Sequence, residues 1–197
     1  MAESSREWWF VRHGECAENR DGVLVPSGIS PLTAAGWSQA VFLRAQIAER
    51  APVVVLVSPT ARTIQTALAL GVPPSRQRRL ADLRERSFGP LSSQTIAAFR
   101  EGPWGSTRAA WSAAPPDGET LQAVAKRAVG TLLPWAAGTG PVLVVTHAGV
   151  IRALVGLLDG LPTHDIGKLR VPWVTPWVRQ VDSARWHALF DGLAASP

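Results

Sequence analysis

Two stretches, PVVVLVS at residues 52–58 and PVLVVTHAGVIRALVGLL at 141–158, constrain the fold of this chain more than any others. Both open on β-branched runs that do not alternate apolar with polar, the pattern of strands covered on both faces of a parallel sheet. The first is expected at the sheet centre, and the second runs straight from a buried strand into an apolar helix. A further short strand is expected over residues 7–12. Thr33 is placed to cap a helix over 34–49, on which Trp37, Val41, Ala45 and Ala48 share a face. Ser58, Pro59 and Thr60 open a helix through ARTIQTALAL, which Gly71, Pro73 and Pro74 end. RRLADL at 78–83 reads as a shorter strand, and one helix is expected at 91–101. From Glu119 onward, Leu121, Val124, Ala125, Ala128, Leu132 and Trp135 trace one helical face that Pro134 should kink or end. One or two closing strands are expected within 171–190.

Strands alternating with helices predict an α/β protein, a three-layer α/β/α sandwich with a mostly parallel central sheet. A chain of 197 residues fits one domain. Residues 87–118, mixing Gly, Pro, Ser and isolated tryptophans, read as a covering excursion or lid. No apolar run approaches the roughly 18 residues of a membrane span, and MAESSREWWF lacks the basic-then-apolar pattern of an export signal. A cytoplasmic location is the expectation. Cys16 is the only cysteine, so internal disulfides and cysteine-based zinc sites are excluded. The formal net charge is +5, and of the 20 basic residues only Lys126 and Lys168 are lysine. Arginine grips phosphate or carboxylate with paired donors, although such an excess also follows from a GC-rich genome. Only placed arginines therefore argue function.

Three strand-to-helix turns place polar groups at the C-terminal edge of the sheet, where ligands of open α/β folds bind. Arg12 and His13 follow the first strand, Arg62 lies in the first turn after the second, and His147 opens the helix after the last. Helix N-termini present free N–H groups and a positive dipole end, so phosphate is the natural occupant. His164 and His187 lie outside these turns and read as surface or packing residues. Trp8, Trp9, Trp37 and Trp135 read as core or sheet-packing residues.

The segments VRHGECAEN at 11–19, SPLTAAGWSQA at 30–40, SPTARTIQTA at 58–67, LRERSFG at 83–89, PPDGET at 115–120 and VTHAGVIRAL at 145–154 resemble, in order and spacing, the histidine phosphatase superfamily, also called phosphoglycerate mutase-like. The resemblance spans most of the chain. It implies that His13 is a nucleophile that carries the phosphoryl group as a transient phosphohistidine. It implies that Arg12, Arg62 and His147 surround the phosphoryl oxygens, with Asn19 adding a hydrogen bond and Ala148 a position at the helix N-terminus. It also implies that Glu85, framed by Leu83 and Gly89, donates the proton to the leaving alkoxide, with Asp82 the near competitor. Taken alone, Glu85 would be a solvated charge on an Arg-rich turn. Glu15 is expected to orient the turn. Neither cofactor nor metal is implied, and the partner is a small phosphorylated metabolite bound by a monomer or homodimer.

The resemblance leaves the reaction open between release of phosphate to water and its transfer between hydroxyls of phosphoglycerate. A length of 197 residues resembles the compact phosphatases, and PLSSQT after Gly89 departs from the mutase-like aromatic residue and Glu-Gly. Val25 stands where several such phosphatases place a polar residue. Cys16 reads as a small pocket-wall residue, because a cysteine phosphatase loop needs an arginine six positions later, where Gly22 stands. Phe88, Trp104, Arg108 and Trp111, with Arg100, are expected to select the leaving group from the 87–118 segment. Phosphoprotein hydrolysis, a non-enzymatic phospho-ligand module and a nucleic-acid surface are the alternatives that the sequence favours less. The cluster of Arg76, Arg78, Arg79, Arg84 and Arg86 lacks any nucleic-acid motif and reads as a solvated face or a steering field.

Overall fold

The structure, a computed structural model, describes residues 5–24, 30–104, 106, 107 and 109–195. Val25 and Arg108 lie outside the described residues. In chain order the elements are β1 (Arg6–Arg12), α1 (Ala17–Arg20), α2 (Ala34–Arg50), β2 (Val54–Val57), α3 (Ala61–Ala69), β3 (Gln77–Arg79), α4 (Ile96–Glu101), α5 (Leu121–Leu132), β4 (Val142–Thr146), α6 (Ala148–Leu158), α7 (Thr163–Ile166), β5 (Pro176–Val181) and α8 (Ser183–Ala194). The sheet order is β3-β2-β4-β1-β5, with every pairing parallel except β1 against β5.

The pleat of the buried strands divides the core in two. Trp8, Phe10, Val142 and Val144 face α5, α6 and α8, where Trp186 packs on Trp8 at 4.7 Å between ring centroids. Trp9, Val11, Leu143 and Val145 face α2 and α3. Each strand thus needs apolar residues at successive positions, which is why neither long run alternates. The three-layer architecture is as the sequence predicts, but β4 rather than β2 occupies the middle, with β2 one place out.

Several local expectations are corrected. The buried stripe of α2 is Gly36, Ala40, Leu43 and Ile47, whereas Trp37 is 42% and Val41 43% exposed. Bulk suggests the other face, but Gly36 lies against the Glu15 backbone of the turn after β1, while Ala40, Leu43 and Ile47 pack on the sheet. Trp37 is therefore not a core residue, while Trp8 and Trp9 are. Of the expected 78–83 strand only Arg78 and Arg79 pair, in β3 with Gln77, and Ala81–Leu83 forms a 3₁₀ turn. The helix expected at 91–101 begins at Ile96, capped by Thr95, because Gly89–Leu91 forms a separate 3₁₀ turn. Pro134 stops α5 at Leu132 and leaves a 3₁₀ turn over Leu133–Trp135. Residues 171–190 hold one closing strand, within the expected one or two, and the Asp182 side chain then accepts the Arg185 N–H and starts α8.

Candidate active site

Strand register builds the site. Arg12 pairs with Thr146 across β1 and β4, and the His13 N–H donates to the Thr146 carbonyl at 3.0 Å. His13 and His147 therefore leave neighbouring strands at the same level, with ring centroids 5.2 Å apart. The Ser58 N–H donates to the Val145 carbonyl at 3.0 Å, which brings the end of β2 and the first turn of α3 to the same edge. Gly14 lets the turn lie flat on α2. A β-carbon there would stand 2.4 Å from the Gly36 carbonyl oxygen, and one on Gly36 would stand 2.1 Å from that of Glu15. Glu15 holds this turn by accepting the Thr33 hydroxyl at 2.7 Å, while the Gly14 N–H donates to Thr66 Oγ1 at 3.0 Å.

His13 is 2% exposed, and its Nδ1 lies 2.7 Å from the Gly14 carbonyl oxygen. A carbonyl only accepts, so Nδ1 carries the proton and Nε2 keeps a free lone pair. Burial, then the cations of Arg62 and Arg12, push the His13 pKa well below its usual value, against the Gly14 hydrogen bond. His147 is fully buried and shifted the same way, first by burial and then by Arg62. Arg62 Nη2 donates to His147 Nδ1 at 3.3 Å, which leaves His147 Nε2–H to donate to Ser58 Oγ at 2.8 Å. His147 thus orients Arg62 and does not line the cavity.

The arginines are buried and short of partners. Arg62 is 1% exposed, and its Nε and Nη1 are buried without a partner, as is Arg12 Nε. Burial lowers the Arg12 pKa to about 10, partly offset by Glu85, so it stays charged at neutral pH. Arg12 Nη1 donates to the Val171 carbonyl at 2.8 Å, and its guanidinium sits 5.5 Å from the Trp173 ring centroid. Val174, next in the chain, donates its N–H to the Arg12 carbonyl with φ 47°, a strained conformation for a β-branched residue. Buried donors without acceptors are costly, and an oxyanion satisfies them.

Glu85 lines the same cavity. Its Oε1 accepts the N–H of Gly149 at 3.0 Å and of Arg86 at 2.8 Å, and its Oε2 accepts that of Gly149 at the longer distance of 3.3 Å. Gly149 makes this contact possible, since a β-carbon there would lie 2.4 Å from Oε1. The turn bearing Glu85 is clamped from α5. Arg127 donates to the Arg84 and Glu85 carbonyls, and Glu119 accepts from Arg84, Arg127 and the Ser87 N–H. Asp82 is exposed and pairs with Arg84, so of the two candidate carboxylates only Glu85 reaches the cavity.

The cavity, about 330 Å³, is also lined by Asn19, Ala148, Phe88, Arg100 and Trp104. Trp111 is not in its wall. It packs against Ala110, Leu121 and Ile166, a structural anchor for the loop. Cys16 is buried away from the cavity wall and bridges to Leu32. His164 and His187 are exposed at the surface, as expected. The expected basic cluster is dispersed: Arg86 is buried in the site, while Arg76 donates to the Pro52 carbonyl. Sequence reasoning missed Arg152 and Trp173 as lining residues. Arg152 carried a signal, because it stands four residues after Ala148 and so on the same face of α6; Trp173 carried none.

The two buried imidazoles make stability depend on pH. The unfolded chain protonates both below the ordinary histidine pKa of 6.5, whereas the folded chain keeps them neutral. The unfolded state then binds more protons, so stability falls as pH drops below about 6.5, by up to ~1.4 kcal/mol per pH unit for each imidazole. Urea unfolding at pH 7.5 and 5.5 should show this loss, smaller in His147→Gln. Equal losses in both proteins would contradict the assignment.

Sheet, edge and pocket together define an α/β protein whose pocket sets unpartnered buried arginine donors beside a neutral histidine. A family model described as the histidine phosphatase superfamily (branch 1) matches residues 8–189, and the chain belongs to that family. It is 32% identical over 178 residues to the probable phosphoglycerate mutase GpmB of Klebsiella pneumoniae, covering 83% of this chain and 79% of that one. It is 30% identical over 193 residues to the glucosyl-3-phosphoglycerate phosphatase of Mycolicibacterium vanbaalenii, covering 89% and 84%. The structure of a mycobacterial glucosyl-3-phosphoglycerate phosphatase in complex with VO3 superposes with a TM-score of 0.75 at 27% identity, covering 88% and 90%. No helix among the described residues is long and apolar enough to cross a membrane.

Proposed function

We propose that this protein hydrolyses a small phosphomonoester, without a metal ion, in two in-line transfers through a phosphohistidine on His13. The observation that carries the reading is the fixed tautomer of His13, whose Nε2 lone pair faces a pocket that also holds Arg12 and Arg62. In the first step Nε2 attacks phosphorus, the bond to the ester oxygen breaks, and Glu85 gives its proton to the leaving alkoxide. In the second step Glu85 takes a proton from water, which attacks phosphorus, and the P–N bond breaks to release inorganic phosphate. Arg12 and Arg62 offset charge on the equatorial oxygens through both steps, assisted by Asn19 and the N-terminus of α6 at Ala148. His147 contributes by holding Arg62.

Residues 8–189 match one family model, which supports reading the chain as one domain. Within it, 87–118 acts as a lid, because Phe88, Arg100 and Trp104 all reach the cavity from that segment. The mutase relatives favour a second reading, phosphate transfer between hydroxyls of a phosphoglycerate. Both readings share the phosphoenzyme. The test is phosphate release from a panel of phosphomonoesters in the presence of EDTA, with a radiolabelled ester quenched into alkali to trap the acid-labile phosphohistidine. Release with trapped label is expected. Loss of activity in EDTA would overturn metal independence, and faster transfer to monophosphoglycerate than to water would favour the mutase.

A further inference from the structure

The two arginines placed to meet a phosphoryl group are held in different ways. Arg62 commits one donor to its own support, with Nη2 bonding to His147 Nδ1 at 3.3 Å. Arg12, at the end of β1, is held by a strap, residues 171–174, that lies between α7 and β5. Val171 is buried in the core under α5, α6 and α8, whereas Val174 is buried in the core under α2 and α3. The strap therefore crosses the C-terminal edge of the sheet from one core to the other. Pro172 favours an extended chain on entry, since proline fixes its own φ and disfavours a helical residue before it. Val174 then turns the chain with φ 47°, a left-handed conformation that a β-branched residue keeps only where its surroundings fix it.

Both ends of the strap bond to Arg12. The Val174 N–H donates to the Arg12 carbonyl at 3.1 Å, and Arg12 Nη1 donates to the Val171 carbonyl at 2.8 Å. Between them, the Arg12 guanidinium lies over the ring of Trp173, 5.5 Å from its centroid. This last contact differs in kind from the hydrogen bonds. All the N–H donors of a guanidinium lie in its plane, so a ring over the group attracts the cation and restrains it without occupying a donor. Arg12 Nε is buried without a partner, and Arg12 and Trp173 both line the cavity. Further hydrogen bonds from the protein to Arg12 would occupy the donors that an oxyanion needs.

We infer that Trp173 is a positioning residue for Arg12: its ring holds the guanidinium in place for the phosphoryl oxygens while leaving the donors free. The inference rests on the proposed reading of Arg12 as a phosphoryl-binding group of this pocket. Trp173 then acts on the phosphoryl end that every substrate shares, and not on the alcohol that distinguishes one substrate from another. It does for Arg12 what His147 does for Arg62, through a ring face in place of a hydrogen bond.

Calorimetric titration of inorganic phosphate into His13→Ala, with and without Trp173→Leu, reads this positioning in the absence of turnover. Leucine should weaken phosphate binding by roughly 10- to 100-fold, the scale of loss when a binding group is misplaced by about 1 Å. Trp173→Phe keeps a ring face and should stay within about threefold of tryptophan. If Trp173→Leu folds poorly, Trp173→Met, whose flexible side chain fills irregular apolar space, carries the same expectation. With His13 in place, Trp173→Leu should lower kcat/KM for glycerol 3-phosphate and p-nitrophenyl phosphate by the same factor. Added to Arg12→Met, it should cost less than about twofold more, because the ring acts through the guanidinium. A loss confined to one ester would make Trp173 a wall for the alcohol, and an undiminished loss in Arg12→Met would make its role independent of Arg12. Either result overturns the proposal, as does phosphate binding that leucine leaves unchanged or that phenylalanine weakens as much as leucine. A wild type that hydrolyses no ester, yet whose phosphate binding responds to Trp173 as expected, would count against the hydrolytic reading alone.

Discussion

Replacing His13 with alanine is expected to lower kcat for phosphomonoester hydrolysis by on the order of ten-thousand-fold or more, the scale seen when a covalent nucleophile is removed. The size follows from what His13 supplies. Its neutral imidazole is a competent nucleophile at neutral pH because burial and two arginines keep the proton off Nε2, and the Gly14 carbonyl fixes the tautomer. No neighbouring group can substitute. His147 is fully buried, with both ring nitrogens engaged, and the buried Cys16 thiol has its pKa pushed up, first by burial. The arginines remain in His13→Ala, so phosphate should still bind, and KM should change far less than kcat. Folding should survive as well, since the variant loses a polar side chain held by one hydrogen bond. The measurements are steady-state phosphate release and label incorporation. Turnover within tenfold of wild type, or label retained on the variant, would refute the role.

The frame of this site was legible in the sequence because strand register does most of the positioning. A β-branched run that ends on a polar residue and a helix start gives both the strand and the level at which its last side chain emerges. Arg12, His13, Arg62 and His147 were therefore locatable, whereas Glu85 was singled out only by the family resemblance that LRERSFG carries. What stayed illegible depends on packing between elements. The buried face of α2 could not be read, because Trp37 and Val41 looked more apolar than the small residues Gly36 and Ala40, which face the turn at Glu15 and the sheet. Arg84 and Arg86 read as part of a solvated basic face, yet with Glu119 and Arg127 they form the clamp behind Glu85. Apart from Arg127 and Glu119, eight residues apart, the partners lie 27 to 45 residues away and several are backbone carbonyls, which leaves little trace in local pattern. Trp111 has two readings in the sequence, a specificity residue of the 87–118 segment or a pin that holds this loop to the core, and its packing on Ala110, Leu121 and Ile166 is the second.

The same clamp shapes the second large effect, on Glu85→Gln. Glutamine keeps an oxygen to accept from Gly149 N and Arg86 N, so the turn should hold its place and the fold its stability. It cannot pass a proton to an alkoxide, nor take one from water. For an alkyl ester, whose leaving group is a strong base, kcat should fall by roughly 100- to 10,000-fold, the range for general acid–base catalysis. For p-nitrophenyl phosphate, whose leaving anion needs no proton, the first transfer should lose little, and the second step should limit the rate. The variant would then accumulate phosphohistidine with the aryl ester but not with the alkyl ester. Rapid-quench measurement of p-nitrophenolate and phosphate separately should show a burst of the first ahead of the second. A loss of equal size for both esters with no burst would mean that Glu85 only positions the N-terminus of α6. The proton donor would then have to be sought elsewhere in the pocket.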